Sequence, residues 1–159
     1  MDIYDNAEQL KKVPLFSSCD KAKLNLLAFT SEIMTFREGE YLFRLGEPSD
    51  SVYVVLKGTV DVIYDENPDK TTLIASLGQN HMLGEMGTFL NAPRSASMLA
   101  TSQVETLKIP ADRFIKLATE TPAIALSVMK ELSAKIAFTG NLVIQSSTEL
   151  KKLKDQYCA

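Results

Sequence analysis

The stretch SVYVVLKGTVDVIYDENPDKTTLIASL, residues 51–77, decides the fold class of this chain. It holds three short runs rich in valine, isoleucine, leucine, tyrosine and threonine, at 51–57, 59–64 and 71–77. Turn-forming residues separate these runs, first at Lys57-Gly58 and then around Asn67-Pro68-Asp69. Because short apolar runs bounded by such residues are typical of β-strands in hairpins, the stretch predicts three successive strands.

The same alternation continues on both sides of this stretch, at 33–37, 41–44, 96–101 and 103–109. Glycine-containing turns at 38–40 and 46–50 separate the first of these runs. No helix long enough to connect parallel strands lies between the runs, so the strands are expected to pair antiparallel. The sequence therefore predicts a mainly β fold with flanking helices, whose central part, 33–110, is an antiparallel jelly-roll β-barrel.

Two short helices are predicted before the barrel, over 7–13 and 20–28. Pro14 separates them, because proline lacks an amide hydrogen and disfavours helix in the residue before it. Ser18 or Asp20 can serve as the N-cap of the second helix. These N-terminal helices occupy residues 1–32.

Helices are also predicted after the barrel, in residues 111–159. A short amphipathic helix covers 111–118, and Thr121-Pro122 provides an N-cap and a first helical residue for a longer one. The long helix is expected to run to about Tyr157, interrupted only by Gly140. Because no linker, repeat or low-complexity segment is present, residues 1–159 are predicted to form a single domain.

Composition argues against several classes of protein. The chain has 159 residues, of which 45% are hydrophobic and 23% charged, and its formal net charge is −3. These values are ordinary for a globular domain and argue against a disordered chain or a disulfide scaffold. The acidic balance argues against direct nucleic-acid binding, which usually requires a basic surplus or a basic stripe.

The cysteine and histidine content indicates no metal site. Cys19 and Cys158 lie near opposite ends of the chain, and His81 is the single histidine. Two unpaired thiols suit a reducing compartment, so we expect a cytoplasmic protein. The polar start of the sequence is not a signal peptide, and no apolar run is long enough to cross a membrane.

Residues 84–96, GEMGTFLNAPRSA, form the segment with the most chemical information. A short helix beginning at Met86 would present free amide hydrogens to an anion. Arg94 adds a fork of donors that matches two phosphate oxygens, and the small residues Ser95 and Ala96 allow close approach of the backbone. Glu85 makes sense if the ligand also carries hydroxyl groups, so the segment predicts a site for a sugar phosphate.

This segment resembles the phosphate-binding cassette of cyclic nucleotide-binding domains, in which Gly-Glu is followed after eight residues by Arg-Ser-Ala. The glycine-marked turns in FREGE (36–40), FRLGE (43–47) and VYVVLKGTV (52–60) are similar to those of the same family. The resemblance covers about residues 13–140. We refer to residues 84–96 as the cassette.

The resemblance implies a role for each polar position. Glu85 would accept the ribose 2′-hydroxyl, and Gly84 would allow close backbone approach. Arg94 would pair with the exocyclic phosphate oxygens, while Ser95 and Ala96 would donate to the same phosphate. The ligand implied is cyclic AMP or cyclic GMP, with no further cofactor.

Apolar walls for the base are expected from Ile74, Leu77, Leu83 and Met86. Each of these is also a natural core residue, and the two roles are compatible. Taken alone, Arg94 could be a surface arginine and Glu85 a partner of the helix dipole; their spacing within the cassette favours ligand binding.

The long C-terminal helix carries a heptad pattern. One seam position holds Met129, Ile136, Val143, Leu150 and Tyr157, and its companion position holds Leu132, Thr139, Ser146 and Leu153. This pattern predicts a homodimer through a coiled coil, the alternative being that the stripe packs on the chain's own barrel.

The same helix bears on the choice of base. The family's base-reading positions would fall near Val143 and Ile144, which cannot make polar contacts. Thr139, Asn141 and Gln145 are the nearby substitutes, so the choice between cyclic AMP and cyclic GMP stays open.

Catalytic patterns are not found: the sequence shows no nucleophile elbow, paired-carboxylate helix or Walker loop, so we expect a binding protein and not an enzyme.

Three functions remain. The first is a stand-alone sensor that signals to an unknown protein effector through its cassette and C-terminal helix. The second is the sensor piece of a DNA-binding regulator without its helix-turn-helix. The third is a structural dimer that has kept the fold without the ligand.

Overall fold

The computed structural model describes residues 3–158 of the chain, and side-chain burial within that range is described except at residues 3, 4, 139, 142, 157 and 158. Residues 3–158 contain five α-helices: α1 (Ile3–Lys11), α2 (Lys21–Phe29), α3 (Glu85–Leu90), α4 (Ala111–Glu120) and α5 (Pro122–Cys158). A 3₁₀ turn (Pro14–Phe16) follows α1. Asp20 is the N-cap of α2, since its carboxylate accepts a hydrogen bond from the Ala22 amide at 3.4 Å.

Eight strands form the centre of the fold: β1 (Glu32–Phe36), β2 (Tyr41–Phe43), β3 (Ser51–Lys57), β4 (Val60–Asn67), β5 (Lys70–Leu77), β6 (Met82–Leu83), β7 (Ser97–Ala100) and β8 (Val104–Pro110). All seven predicted strands are present, with bounds shifted by three residues at most. The additional strand, β6, is only two residues long and pairs with β3 through Tyr53↔Leu83 and Val54↔Met82.

The strands form two antiparallel sheets of four, in the orders β1-β8-β3-β6 and β2-β7-β4-β5. A mainly β fold with flanking helices is therefore confirmed. The prediction of a closed barrel is wrong, because among the described residues no strand pairing joins one sheet to the other. Short edge strands such as β6, with two residues, leave too few backbone groups to close the sheets. The jelly-roll connection pattern stays a prediction.

Strand β3 connects two hydrophobic cores. Its side chains alternate, so that Val52, Val54 and Leu56 pack with the helices while Tyr53 and Val55 face the opposite sheet. The helical core also contains Phe16 and Phe114, whose rings meet edge to face at 6.3 Å. Burial on both faces explains why β3 is a continuous apolar run.

Helix α5 packs on the body with its first turns and then leaves it. Ile124 and Val128 are buried, Lys135 is half-buried, and every described side chain from Ile136 to Gln156 is exposed. The predicted interruption at Gly140 is wrong: the helix passes through Gly140, because a single glycine costs only about 1 kcal/mol of helix propensity. No helix among the described residues is apolar enough over sufficient length to cross a membrane.

Candidate functional site

The cassette lies between β6 and β7 and begins with a glycine in a left-handed conformation. Gly84 has φ +86° and directly precedes α3. A Cβ atom at this position would lie only 2.3 Å from Nη1 of Arg94. Glycine is therefore favoured for two reasons: the left-handed backbone conformation strains any other residue, and a side chain here would displace the end of Arg94.

Arg94 is the central charged residue of the cassette, and it is only 3% exposed. Its Nη2 donates to the Ser51 carbonyl at 2.7 Å, and its Nη1 donates to the Gly84 carbonyl at 3.1 Å. The guanidinium also lies over the Phe43 ring, 4.0 Å from the ring centroid. Its Nε is buried and has no hydrogen-bond partner among the described residues, so one donor of the fork is unused.

The charge of Arg94 is balanced mainly by carbonyl dipoles. The nearest carboxylate given by the structure is that of Asp50, whose Oδ1 lies 3.8 Å from Nη2 on a largely exposed side chain. Burial lowers the pKa of the Arg94 guanidinium, against the opposing influence of Tyr53, Asp50, Glu47 and Glu85. A buried cation with no carboxylate within hydrogen-bond distance among the described residues favours the binding of an anion.

The β2–β3 turn holds the arginine end of the cassette in place. The Arg94 amide donates to the Glu47 carbonyl at 2.8 Å, and the Gly46 amide donates to the Arg94 carbonyl at 2.9 Å. The Ser49 hydroxyl donates to the Ala92 carbonyl at 2.6 Å. The sequence marked this turn as similar to a turn of the family but did not identify it as a support of Arg94, because backbone partners leave no side-chain signature.

Glu85 lies at the other end of the cassette, in the first turn of α3, and is only 4% exposed. Its Oε1 accepts a hydrogen bond from Nζ of Lys135, on α5. The same Nζ lies 3.7 Å from Oε1 of Glu131, one turn earlier on that helix. Burial raises the pKa of Glu131, and the nearby charge of Glu85 raises it further, while Lys135 opposes the shift. Two carboxylates thus share one ammonium group.

Comparison with known proteins assigns the chain to a family, because the model for the cyclic nucleotide-binding domain matches residues 33–121. The chain belongs to the cyclic nucleotide-binding domain family. The resemblance seen in the cassette and the glycine-marked turns is therefore confirmed.

Similar proteins share the domain in different settings. A lysophospholipase NTE1 from Phaeosphaeria nodorum is 31% identical over 108 residues, which are 68% of this chain and 7% of that protein. The regulatory domain of Toxoplasma gondii PKA, solved with cAMP, has a TM-score of 0.73 at 20% identity, covering 82% of this chain and 50% of that one. The regulatory subunit of a cAMP-independent protein kinase A from Trypanosoma brucei has a TM-score of 0.70 at 24% identity. The match covers 82% of this chain and 48% of that one. This chain spans only a small part of the curated relatives that it matches.

Within the cyclic nucleotide-binding domain, the predicted polar residues lie close together. Gly84 and Arg94 are hydrogen-bonded, and Glu85 follows Gly84 directly in the chain. After Arg94, Ser95 is exposed and Ala96 is buried. Arg94 thus joins the start of the cassette at Gly84 to β3 at Ser51.

The predicted apolar walls are more dispersed. Leu83 is fully buried between the two sheets, and Leu77 is half-buried against the same core. Ile74 and Met86 are exposed, and Ile74 is the extra residue of a bulge in β5 between Leu73 and Ala75. Leu83 therefore has a core role in this structure, and contact of the others with a base stays a prediction.

The polar residues proposed for base reading lie on the projecting part of α5. Asn141 is exposed, and the side chain of Thr139 is outside the described residues. A separate groove between α2 and α4 is lined by apolar and charged side chains, among them Leu26, Leu117 and Arg113. None of its lining residues belongs to the cassette, so we do not assign the nucleotide to it.

Proposed function

We propose that this domain is a sensor that binds a cyclic mononucleotide, cyclic AMP or cyclic GMP, at the cassette. The observation that carries the proposal is the buried Arg94 guanidinium, whose Nε donor is unused. Its hydrogen bonds go to backbone and hydroxyl oxygens, and the carboxylate of the exposed Asp50 lies 3.8 Å away. An exocyclic phosphate would supply the counter-charge. Hydrogen bonds to charged groups contribute about 1.5–3 kcal/mol each, so hydrogen bonds between the guanidinium and a phosphate would contribute strongly to affinity.

Recognition of the sugar would fall to Glu85. Glu85 directly follows Gly84, whose carbonyl accepts a hydrogen bond from Arg94, so one ligand with a phosphate and a ribose hydroxyl could engage both charges. Ser95 and Ala96 would add backbone donors to the phosphate. The two kinase regulatory proteins with this fold, one solved with cAMP and one described as cAMP-independent, show why the ligand has to be measured.

We also propose that two copies pair through α5 and that this helix carries the signal to a protein effector. Among the described seam residues, Met129, Ile136, Val143, Leu150 and Leu153 are exposed, Ile136 to 71%, whereas Leu132 is half-buried against the helical core. A single projecting helix with this stripe would leave a long apolar surface in water, which a second copy would cover. We place this action in the cytoplasm, since Cys19 is a free, buried thiol.

The test of the proposed function is a calorimetric titration of the purified protein with cyclic AMP, cyclic GMP and uncyclised 5′-AMP. We expect saturable binding of at least one cyclic nucleotide and at least tenfold weaker binding of 5′-AMP, whose dianionic phosphate does not match a site for a monoanion. If neither cyclic nucleotide binds, the sensor function is wrong. The third possibility, a structural dimer without a ligand, would then remain.

A further inference from the structure

Helices α2 and α4 flank a groove that is separate from the cassette, and we call it the α2–α4 groove. The buried residues Leu27 and Leu117 line it together with Leu26, whose side chain is 65% exposed. Its volume is about 100 Å³, well below the ~300–1,000 Å³ of small-molecule sites. The groove therefore has room for an inserted apolar side chain but not for a whole drug-sized ligand.

Helix α2 carries apolar residues on two faces. Leu24, Leu27 and Ala28 are buried in the helical core, whereas Leu26 and Phe29 are 65% and 69% exposed. Residues three positions apart are neighbours on a helix surface, so Leu26 and Phe29 extend the apolar lining of the groove outward. A surface helix normally presents polar residues to water, so this second apolar face is left for a partner to cover.

The rim of the groove is basic, although the chain as a whole has a net charge of −3. Lys23, Arg113 and Lys116 line it, together with the carboxylate of Glu120. Among the described residues, no carboxylate lies within 4.0 Å of any of these three cations. Lys23 instead donates from Nζ to Oγ1 of Thr121 at 3.2 Å. The rim thus offers positive charge to an acidic occupant.

We propose that the α2–α4 groove docks an acidic amphipathic helix of a partner protein. The apolar side chains of that helix pack on Leu26 and Phe29, and its carboxylates face Arg113 and Lys116. Complementary charge of this kind fixes orientation and excludes wrong partners. This surface is distinct from the cassette, so the proposal does not depend on cyclic-nucleotide binding.

The elements around the groove favour a helical occupant over an extended one. Helices α2 and α4 are nine and ten residues long, which is about 14 and 15 Å at a rise of 1.5 Å per residue. That length matches two to three turns of a third helix laid between them. An extended peptide would instead need a sheet edge to pair with, and helices flank this groove.

The projecting part of α5 from a second copy of the chain is a poor match for the groove. It carries Lys151, Lys152 and Lys154 on its exposed surface, with the same sign of charge as the rim. Like charges brought together across an interface oppose binding. The occupant is therefore expected to be a different protein.

The probe for the test is a synthetic helical peptide of about 15 residues, with leucines along one face, glutamates at the margins of that face and one tryptophan. The protein contains no tryptophan, so the fluorescence of the peptide reports binding without background from the protein. A second peptide has lysine in place of every glutamate. We expect the acidic peptide to bind with micromolar affinity and the lysine peptide to bind at least about tenfold more weakly.

Variants of the groove should change this preference in a defined way. Arg113→Glu combined with Lys116→Glu reverses the rim charge, so it should weaken binding of the acidic peptide about 100-fold and make the lysine peptide the better ligand. Leu26→Gln should weaken binding of the acidic peptide about fivefold, because it removes an apolar contact. All three residues are exposed, and thermal unfolding verifies that each variant is folded.

Matched controls separate the groove from general effects of charge and apolar surface. Arg37→Glu combined with Lys70→Glu changes the net charge by the same amount at exposed positions outside the groove. Leu73→Gln removes another exposed leucine, on β5. Both controls should bind the acidic peptide like wild type.

A preference for the acidic peptide that reverses in the groove variant and persists in the controls supports the proposal. It is overturned if wild type shows no saturable binding of the acidic peptide, if the two peptides bind equally, or if groove and control variants lose equal affinity. Sedimentation with vesicles of phosphatidylcholine and phosphatidylglycerol tests an anionic lipid surface. Vesicle binding that requires Arg113 and Lys116, without peptide binding, also overturns the proposal. Every titration is made without cyclic nucleotide, so its result is independent of the proposed sensor function.

Discussion

Gly84 and Arg94 fit against each other so closely that a side chain at the glycine would have to displace the end of the arginine. A Cβ atom there would lie 2.3 Å from Nη1, and the Gly84 carbonyl accepts a hydrogen bond from the same nitrogen at 3.1 Å. The glycine thus shapes the space around the charged group on which the proposed phosphate contact depends. The backbone conformation of Gly84, its packing against Arg94 and the proposed phosphate binding therefore depend on one another.

Gly84→Ala should therefore impair both stability and binding. Strain at φ +86° together with displacement of Arg94 should lower the free energy of unfolding by about 2 kcal/mol, measured by urea denaturation. Gly140→Ala is the control with the opposite sign, since nothing lies near that position and alanine should stabilise the exposed helix by about 1 kcal/mol. Equal effects of the two substitutions would contradict this account of Gly84.

Glu85→Gln should weaken binding of the ribonucleotide about tenfold, because the amide replaces a charged acceptor of the 2′-hydroxyl. The 2′-deoxy form should bind the variant and the wild type nearly equally. Titration of both proteins with both ligands checks this. Equal losses for the two ligands would remove the ribose role of Glu85.

The shared ammonium group should make stability depend on pH through Glu131. Burial and the neighbouring Glu85 raise the pKa of Glu131 above its usual value of 4.5. In the interval between that value and the raised one, the native state binds more protons than the unfolded state, so this residue makes the free energy of unfolding fall as the pH rises. Glu131→Gln should remove that part of the fall, measured by urea unfolding at a series of pH values. If the free energy of unfolding depends on pH in the same way in wild type and in Glu131→Gln, the raised pKa of Glu131 is contradicted.

Leu150→Glu should disrupt the proposed dimer, because it places a charge in the apolar seam of α5. Light scattering after size-exclusion chromatography should show a dimer for the wild type and a monomer for this variant. Ile144→Glu is the matched control: Ile144 is also exposed on α5 but lies off the seam, so the dimer should persist. Loss of the dimer in both variants, or in neither, would count against this heptad frame.

Much of the fold and part of the site could be predicted from the sequence, for reasons that differ between residues. The seven longer strands carry enough residues to show alternation or apolar runs, whereas β6 has only Met82 and Leu83, and two residues have no period. Gly140 was expected to interrupt α5, but a single glycine costs only about 1 kcal/mol, which does not end a helix of 37 residues.

The cassette residues were predictable because their spacing within thirteen positions reflects the chemistry of one ligand. Ser51 and Glu47 could not be recognised as partners of Arg94, since the shortest contacts they make with it are through carbonyl oxygens that any residue could provide. The Glu85–Lys135 pair joins residues fifty positions apart on two helices. Which of the many lysines meets a given carboxylate is fixed only when α5 packs beside α3.

The central claim is that Arg94 binds the phosphate of a cyclic nucleotide, and the most direct measurement is a calorimetric comparison of wild type, Arg94→Lys and Arg37→Lys with the same ligand. Lysine keeps the charge but lacks the planar fork, so Arg94→Lys should lose about 100-fold in affinity, whereas exposed Arg37→Lys should bind like wild type. Thermal unfolding of each variant verifies that it is folded. Wild-type affinity in a folded Arg94→Lys variant would contradict the account.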